Sequence, residues 1–323
     1  MIINRGRRWM SLATVLLVLL GLTIAAPTAQ ARPGRGAKII AETQVTDRQV
    51  DLTVRSPALD DTVKVRLLTP DGWQTRTRRD HWPVLYLLHG CCGDYTSWTS
   101  FTDVAEIDAL RDVLVVMPEA GNTGWYSDWW NGGEGGSPAW ETFHLRELRP
   151  LLEHRYGAGR QRAVAGLSMG GLGALLYAGR NPGMFNAAAS YSGAVHPLAE
   201  NGPEWILGFM EQYGYDPLRL WGDPVDQRRI WEAHDPVHLT RHLRQIPIYL
   251  SCGNGEPGPY DEPGPVQDLE RDFLVQNEQV AAAVRAAGGE VTTDFYGPGQ
   301  HGWGYWQREL HDSLPMLLEA ITR

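Results

Sequence analysis

The stretch RAVAGLSMGGLGALLYA, residues 162–178, combines a short strand pattern, a tight turn and a helical pattern. Residues 162–165 are mostly apolar, and residues 172–177 continue with the composition of a buried helix. Between them GLSMG, residues 166–170, matches the G-x-S-x-G pattern, in which small residues flank a serine held in a strained turn. Such a turn raises the serine hydroxyl above the edge of a sheet. The sequence therefore predicts Ser168 as a nucleophile.

Outward from this stretch, short apolar runs alternate with helical patterns. Two alternating segments, residues 50–55 and 62–68, flank a polar turn and predict an antiparallel hairpin. Continuous apolar runs, typical of strands buried on both faces, occur at residues 84–88, 113–117, 162–165 and 246–250, and a further strand is predicted over 290–296. Helical patterns cover residues 101–110, 140–156, 169–178, 266–287 and 305–321. The alternation predicts an α/β fold with a mostly parallel central sheet and helices on both faces.

Residues 197–239 break this alternation, because tryptophans, tyrosines and a phenylalanine stand there among glycines and charged residues. We interpret this segment as an insertion over the active site. The chain carries no internal repeat that would call for a second domain. With the nucleophile turn, these features predict the α/β-hydrolase fold in one catalytic domain over residues 46–323.

The N-terminus has the composition of an export signal. Arg5, Arg7 and Arg8 precede an apolar run over residues 12–26, and Ala29-Gln30-Ala31 fits a small-x-small cleavage site. A membrane anchor is the alternative, but a bilayer core needs about 20 apolar residues. We therefore expect a cleaved signal peptide over residues 1–31, a flexible leader over 32–45, and a protein that is secreted or held in the cell envelope. The general and twin-arginine export routes both remain open.

Charge and cysteine content exclude several classes of protein. Removal of residues 1–31 takes away three arginines and no acid, which changes the formal net charge from −9 to −12. Together with the lack of a basic stripe, this argues against nucleic-acid binding.

No histidine pair has metal-ligand spacing, so we expect neither a metal nor another cofactor. The three cysteines, Cys91, Cys92 and Cys252, cannot all pair within one monomer. The oligomeric state remains open.

A serine nucleophile needs a base, an acid and an oxyanion hole. In this fold the histidine comes last, after the final strand, and His301 occupies that place. The acid should follow the strand at 246–250, which leaves a set of carboxylates that the residues alone do not separate: Glu256, Asp261, Glu262, Asp268, Glu270 and Asp272. The oxyanion hole needs two backbone N–H groups, which we assign to Met169 and, in the turn after the strand at 84–88, to Cys91.

From about residue 84 onward the chain resembles the antigen 85 mycolyltransferases and the wider esterase D-like family of α/β hydrolases. The resemblance rests on separated motifs in matching order: YSDW at 126–129, WETF at 140–143, REL at 146–148, GLSMG at 166–170, CGNG at 252–255 and HGWGYW at 301–306. It implies that the acid is Glu270, upstream of AAGG at 286–289, with Asp261 as second choice. It also implies that Cys252 is a structural thiol close to the active site.

Departures from the family concern the substrate. The mycolyltransferases carry an aspartate-glycine pair where this chain has His89-Gly90, and that aspartate helps to hold a sugar acceptor. We expect His89, Trp303 and Trp306 to contact substrate, although the tryptophans could equally fill the core. The substrate is then a small-molecule or lipid acyl ester, and the acceptor is water, a sugar or a glycerolipid.

Several functions remain open at this stage. The first is a secreted carboxylesterase or acyltransferase with a Ser-Glu-His triad. The second is a trehalose mycolyltransferase or diacylglycerol acyltransferase of antigen 85 type. A third, from another class, is an inactive protein that binds carbohydrate or matrix, since some antigen 85 relatives have lost the triad. A peptidase on the same fold is a weaker alternative, because no motif suggests a peptide groove.

Overall fold

The computed structural model describes residues 36–322, which fold around one nine-stranded sheet in the order β1-β2-β3-β5-β4-β6-β7-β8-β9. The strands are β1 Lys38–Gln44, β2 Gln49–Ser56, β3 Asp61–Leu68, β4 Trp82–Leu88, β5 Leu114–Pro118, β6 Ala158–Leu167, β7 Ala187–Tyr191, β8 Ile248–Cys252 and β9 Val291–Phe295. Strands β1 to β3 pair antiparallel, and β3 joins β5 antiparallel. The remaining pairs are parallel, which confirms the mostly parallel sheet and the hairpin of β2 and β3.

Helices cover both faces of this sheet. They are α1 Ser97–Phe101, α2 Trp140–Thr142, α3 Arg149–Arg155, α4 Met169–Arg180, α5 Gly202–Gln212, α6 Leu218–Trp221, α7 Arg228–Ala233, α8 Thr240–Leu243, α9 Asp268–Ala286 and α10 Trp303–Thr322. A π-helical segment, Phe143–Leu148, joins α2 to α3. Single 3-10 turns lie at Trp73–Thr75, Asp108–Leu110, Asn131–Gly133 and Pro236–Leu239.

Strand β4 shows how the two layers share the sheet. Val84, Tyr86 and Leu88 belong to one core with α4 and α9, whereas Leu85 and Leu87 belong to the other with α1 and α10. All five side chains are at most 1% exposed. Because neighbouring side chains point to opposite faces, a strand covered by helices on both sides is apolar throughout. This burial explains why the continuous apolar runs predicted the strands.

Two expectations differ from the structure, and one strand is not predicted by the sequence. Lys38–Gln44, assigned to a flexible leader, form β1, an edge strand that is largely exposed and lacks an apolar face to reveal it. In place of the helix predicted over 101–110, α1 ends at Phe101 and a 3-10 turn covers Asp108–Leu110. Strand β7, which was not predicted, reads AAASY and carries too little β-branched character to be distinguished by sequence. Residues 1–35, including the predicted signal peptide, lie outside the described residues.

Between β7 and β8 the chain leaves the sheet and forms α5, α6, α7 and α8. Trp205 and Phe209 of α5 border the cavity above Ser168, as expected of an insertion over that site. Within residues 36–322, no helix has both the length and the apolar character needed to cross a membrane.

Candidate active site

Ser168 lies between β6 and α4 with φ 53° and ψ −121°, a backbone conformation that L-residues rarely adopt. Its flanking glycines allow the turn. A Cβ on Gly166 would lie 2.1 Å from the carbonyl oxygen of Gly170, and a Cβ on Gly170 would lie 2.4 Å from that of Leu88. Both obstacles are backbone atoms, which cannot rotate away. Steric exclusion of side chains therefore fixes the serine at the carboxyl end of β6.

His301 and Glu270 meet at the same end of the sheet. Nδ1 of His301 lies 2.6 Å from Oε2 of Glu270, which comes from the first turn of α9. The backbone N–H of His301 donates to Oε1 of Gln267 at 2.6 Å. The imidazole lies edge-on to the rings of Phe273 and Trp306. These contacts fix the ring orientation, and Nδ1–H donation to the carboxylate leaves Nε2 as the acceptor nitrogen.

The second oxygen of Glu270 is also saturated. Oε1 accepts hydrogen bonds from the Ser192 hydroxyl at 2.6 Å and from the Gly253 N–H at 2.9 Å, and the Cys252 thiol lies 3.2 Å away. Burial raises the pKa of Glu270, but the bonds from His301, Ser192 and Gly253 outweigh it and leave the pKa lowered. The carboxylate thus stays ionised although its side chain is fully buried.

Cys252 is fully buried beside this carboxylate. Burial and the nearby negative charge raise the pKa of its thiol well above the ordinary value. A protonated, inaccessible thiol is a poor nucleophile. The position therefore supports the structural role implied by the family resemblance.

Asp261, the second choice of acid, does not contact His301. Its Oδ2 accepts from the Tyr305 hydroxyl at 2.7 Å, the Gly258 N–H at 2.9 Å and the Gln300 N–H at 3.1 Å. These bonds hold two loops together, one of them leading directly into His301. Asp261 therefore supports the loop that carries His301.

The two assigned oxyanion donors lie on either side of Ser168. Gly90 approaches so closely that a Cβ there would lie 3.1 Å from Cβ of Ser168, which places the loop with Cys91 beside Ser168. Neither the Cys91 nor the Met169 amide has an acceptor among residues 36–322. Both residues border the cavity. Two unpaired amides beside a strained serine are the arrangement that stabilises a tetrahedral oxyanion.

His89 does not lie where the sequence places it. Its side chain is 1% exposed and does not border the cavity. Nδ1 bonds the carbonyl of Gly90 at 2.7 Å, and Nε2 accepts from the Ala120 N–H at 3.0 Å. The prediction of substrate contact is wrong for this side chain, because both ring nitrogens are occupied in bracing the loop beneath the site.

The cavity above Ser168 has a volume of about 830 Å³ and two aromatic walls. One consists of Phe101, Trp303 and Trp306, where Phe101 stacks on Trp303 with ring centroids 5.0 Å apart. The other consists of Trp125, Trp205, Phe209 and Phe273. Trp303 and Trp306 thus border the cavity as expected, although Trp306 is only 6% exposed. Ser168 and His301 both border it, and no hydrogen bond joins their side chains.

Sequence reasoning missed several residues of this site. Ser192 bonds Glu270 from a position with φ 46°, and nothing in the sequence distinguishes it from other serines after a strand. Trp205 and Phe209 were recognised only as part of an aromatic insertion. Their spacing of one helical turn was the available signal that both face the same side.

Known proteins resemble this chain over most of its length. A family model described as "Putative esterase" matches residues 56–317. The chain is 32% identical over 285 residues to "Diacylglycerol acyltransferase/mycolyltransferase Ag85B" of Mycolicibacterium smegmatis, with 84% of each chain covered. The crystal structure of Mycobacterium tuberculosis MPT51 matches with TM-score 0.68 and 25% identity, over 82% of this chain and 96% of that one. An S-formylglutathione hydrolase from Agrobacterium tumefaciens shares the fold with TM-score 0.66 and 16% identity, over 88% and 99%.

Proposed function

We propose that this chain, which belongs to the putative esterase family, transfers acyl groups through a covalent intermediate on Ser168. The chain is an enzyme of the esterase and acyltransferase class, as its antigen 85 relatives indicate. The observation that carries the mechanism is the 2.6 Å bond between Glu270 and His301 at the edge of the cavity that Ser168 borders.

In the first half of the reaction, Nε2 of His301 removes the proton of Ser168 as its oxygen attacks an ester carbonyl. Buried Glu270 stabilises the imidazolium that results. The amides of Met169 and Cys91 bind the oxyanion of the tetrahedral intermediate. Collapse of this intermediate, with the proton of His301 transferred to the leaving alcohol, gives the acyl-enzyme. The bond between Ser168 and His301 forms when substrate fills the cavity, since such bonds are often open in unliganded enzymes.

In the second half, water or an alcohol attacks the acyl-enzyme, and His301 again accepts and returns a proton. With water as the acceptor, the reaction is ester hydrolysis and the enzyme is a carboxylesterase. The relationship to a diacylglycerol acyltransferase and mycolyltransferase supports a sugar or glycerolipid acceptor as the second candidate. His89 lies too deep to bind that acceptor in place of the family's aspartate.

The cavity lining supports a neutral acyl ester as donor. Among the described residues, no lysine or arginine borders the cavity, and Asp94 is its one carboxylate. A carboxylate or phosphate on the substrate would lose its hydration there without gaining a cationic partner. Action outside the cell or in its envelope follows from the predicted signal peptide and remains part of the proposal.

The test compares wild type with Ser168→Ala on p-nitrophenyl butyrate. Loss of the nucleophile should reduce kcat by about 10⁴-fold or more, since little beyond binding and the oxyanion hole remains. Mass spectrometry of products formed with trehalose, diacylglycerol or neither identifies the acceptor. Turnover by Ser168→Ala near the wild-type rate would refute the proposed intermediate.

A further inference from the structure

One contact, between the insertion and the loop after β4 that carries Cys91 and Cys92, takes no part in the proposed reaction. We call this loop the oxyanion loop. Tyr213 follows α5, and its hydroxyl lies 3.3 Å from Sγ of Cys91 and in still closer contact with Sγ of Cys92. We call these three side chains the clasp. It joins segments more than 120 residues apart in sequence.

Two groups of the clasp, the Cys91 thiol and the Tyr213 hydroxyl, are neutral at neutral pH. Burial raises the pKa of the Cys91 thiol to about 12. Hydrogen bonding to the two thiols, Cys91 first, raises the pKa of Tyr213 above its ordinary value. Thiols are weak hydrogen-bond donors and acceptors. The clasp is therefore a weak contact between side chains.

The clasp continues one wall of the cavity. The rings of Tyr213 and Phe209 lie 5.0 Å apart, and Phe209 lies 5.5 Å from Trp205 and 5.7 Å from Trp125. Trp205 in turn meets Phe273 at 5.4 Å. Phe209, Cys91 and Cys92 all border the cavity, and Tyr213 contacts each of them. Tyr213 itself lies outside the cavity lining and packs directly behind these three residues, where it connects the aromatic wall of the insertion to the oxyanion loop.

We propose that Tyr213 closes this end of the cavity and limits the length of the acyl chain that the enzyme accepts. This inference rests on the proposed function and adds to it the range of acyl-chain lengths that the enzyme accepts. With the end closed, the cavity of about 830 Å³ is of the size that holds a drug-sized ligand, roughly 300–1,000 Å³. A longer chain has to pass between α5 and the oxyanion loop, where the clasp lies.

The Tyr213 hydroxyl contacts no group that takes part in the proposed reaction. This hydroxyl contacts the sulfur atoms of Cys91 and Cys92, whereas the proposed oxyanion donor is the backbone amide of Cys91. The Cys91 loop is braced from below by the bond of His89 to the Gly90 carbonyl. Removal of the Tyr213 ring therefore opens space at the cavity end and leaves the catalytic groups in place.

The experiment measures kcat and KM for p-nitrophenyl butyrate, octanoate and laurate. Tyr213→Ala should raise the laurate-to-butyrate ratio of kcat/KM by about tenfold or more, mainly through a lower KM for laurate. Its kcat for butyrate should stay within about threefold of wild type. Cys92→Ala, which cuts the clasp from the other side, should shift the ratio in the same direction by a smaller factor, because the tyrosine ring remains.

Tyr215→Ala is the control, since Tyr215 is an exposed tyrosine of the insertion whose ring packs against Trp129, a residue that does not border the cavity. It should leave the ratio unchanged. An unchanged ratio in Tyr213→Ala overturns the inference, and so does an equal loss of kcat for all three esters, which would assign Tyr213 to positioning of the oxyanion loop. The proposed function fails separately, when wild type and Ser168→Ala turn over butyrate equally.

Discussion

The two sides of the cavity are held by different kinds of interaction. The floor comprises the turn at residues 166–170 with Glu270 and His301, and the roof comprises α5 with the clasp. In the floor, backbone atoms crowd the glycines, and each Glu270 oxygen has a defined donor. In the roof, side chains meet side chains, through aromatic rings and two thiols. The floor allows little change, whereas the roof offers room for it.

This difference assigns a separate task to each side. Positioning of a nucleophile, base and acid requires errors well below 1 Å, which crowded backbone and buried hydrogen bonds provide. Selection of an acyl chain requires only a surface of suitable shape. Substitutions in the floor should therefore change kcat and folding, and substitutions in the roof should change the preference among substrates.

The largest effect is expected for the acid of the floor. Glu270→Gln keeps the shape but removes the charge that stabilises the His301 imidazolium, so kcat should fall by about 10³-fold or more. Asp261→Asn should lower kcat by less than about tenfold, because Asp261 has no contact with His301. Asp261→Asn should mainly lower the free energy of unfolding, by about 1–3 kcal/mol, because the hydrogen bonds between the two loops weaken. Ester turnover and thermal unfolding of both variants measure the two effects.

The reverse order of damage to kcat would identify Asp261 as the acid and invalidate the assignment of Glu270. Equal damage by both variants would mean that the loop geometry, rather than the carboxylate charge, limits the rate. The paired variants thus test whether Glu270, rather than Asp261, is the carboxylate that acts on His301.

A smaller effect, on stability, separates floor from roof. In Gly170→Ala the new Cβ would meet the carbonyl oxygens of Leu88 and His89 at 2.4 and 2.5 Å. The free energy of unfolding should fall by about 3 kcal/mol. Gly208→Ala in α5 meets no atom within 4 Å, and as a helical substitution it should gain about 0.5–1 kcal/mol. Chemical denaturation of both variants compares the two sides, and a tolerant Gly170 would contradict the crowding of the floor.

Most of the floor could be predicted from the sequence, because its constraints leave a recognisable pattern. Gly166 is required by a clash within the turn and Gly170 by the carbonyls of Leu88 and His89, yet both appear in the G-x-S-x-G spacing. The place of His301 follows from the order of elements in the fold. Glu270 could not be separated from its neighbours by residue chemistry alone. Its selection depends on which turn of α9 meets the end of β8, a tertiary detail that only the family resemblance supplied.

Three features could not be predicted from the sequence: the clasp in the roof, the burial of His89 and strand β7. The contact of Tyr213 with Cys91 and Cys92 joins distant segments, and no local pattern marks it. The family resemblance predicts His89 at the substrate, because the mycolyltransferases carry a sugar-holding aspartate at that position, yet its side chain is buried. Strand β7 was missed because alanines carry little strand preference, and burial on both faces decides its conformation.

Labelling with a fluorophosphonate, followed by intact mass and peptide mapping, tests most directly whether Ser168 is the nucleophile. We expect one adduct per chain, located on Ser168, no adduct in Ser168→Ala, and slower labelling of Glu270→Gln. An adduct on another residue, or an unlabelled wild-type protein that still hydrolyses p-nitrophenyl butyrate, would contradict the assignment of Ser168 as the nucleophile.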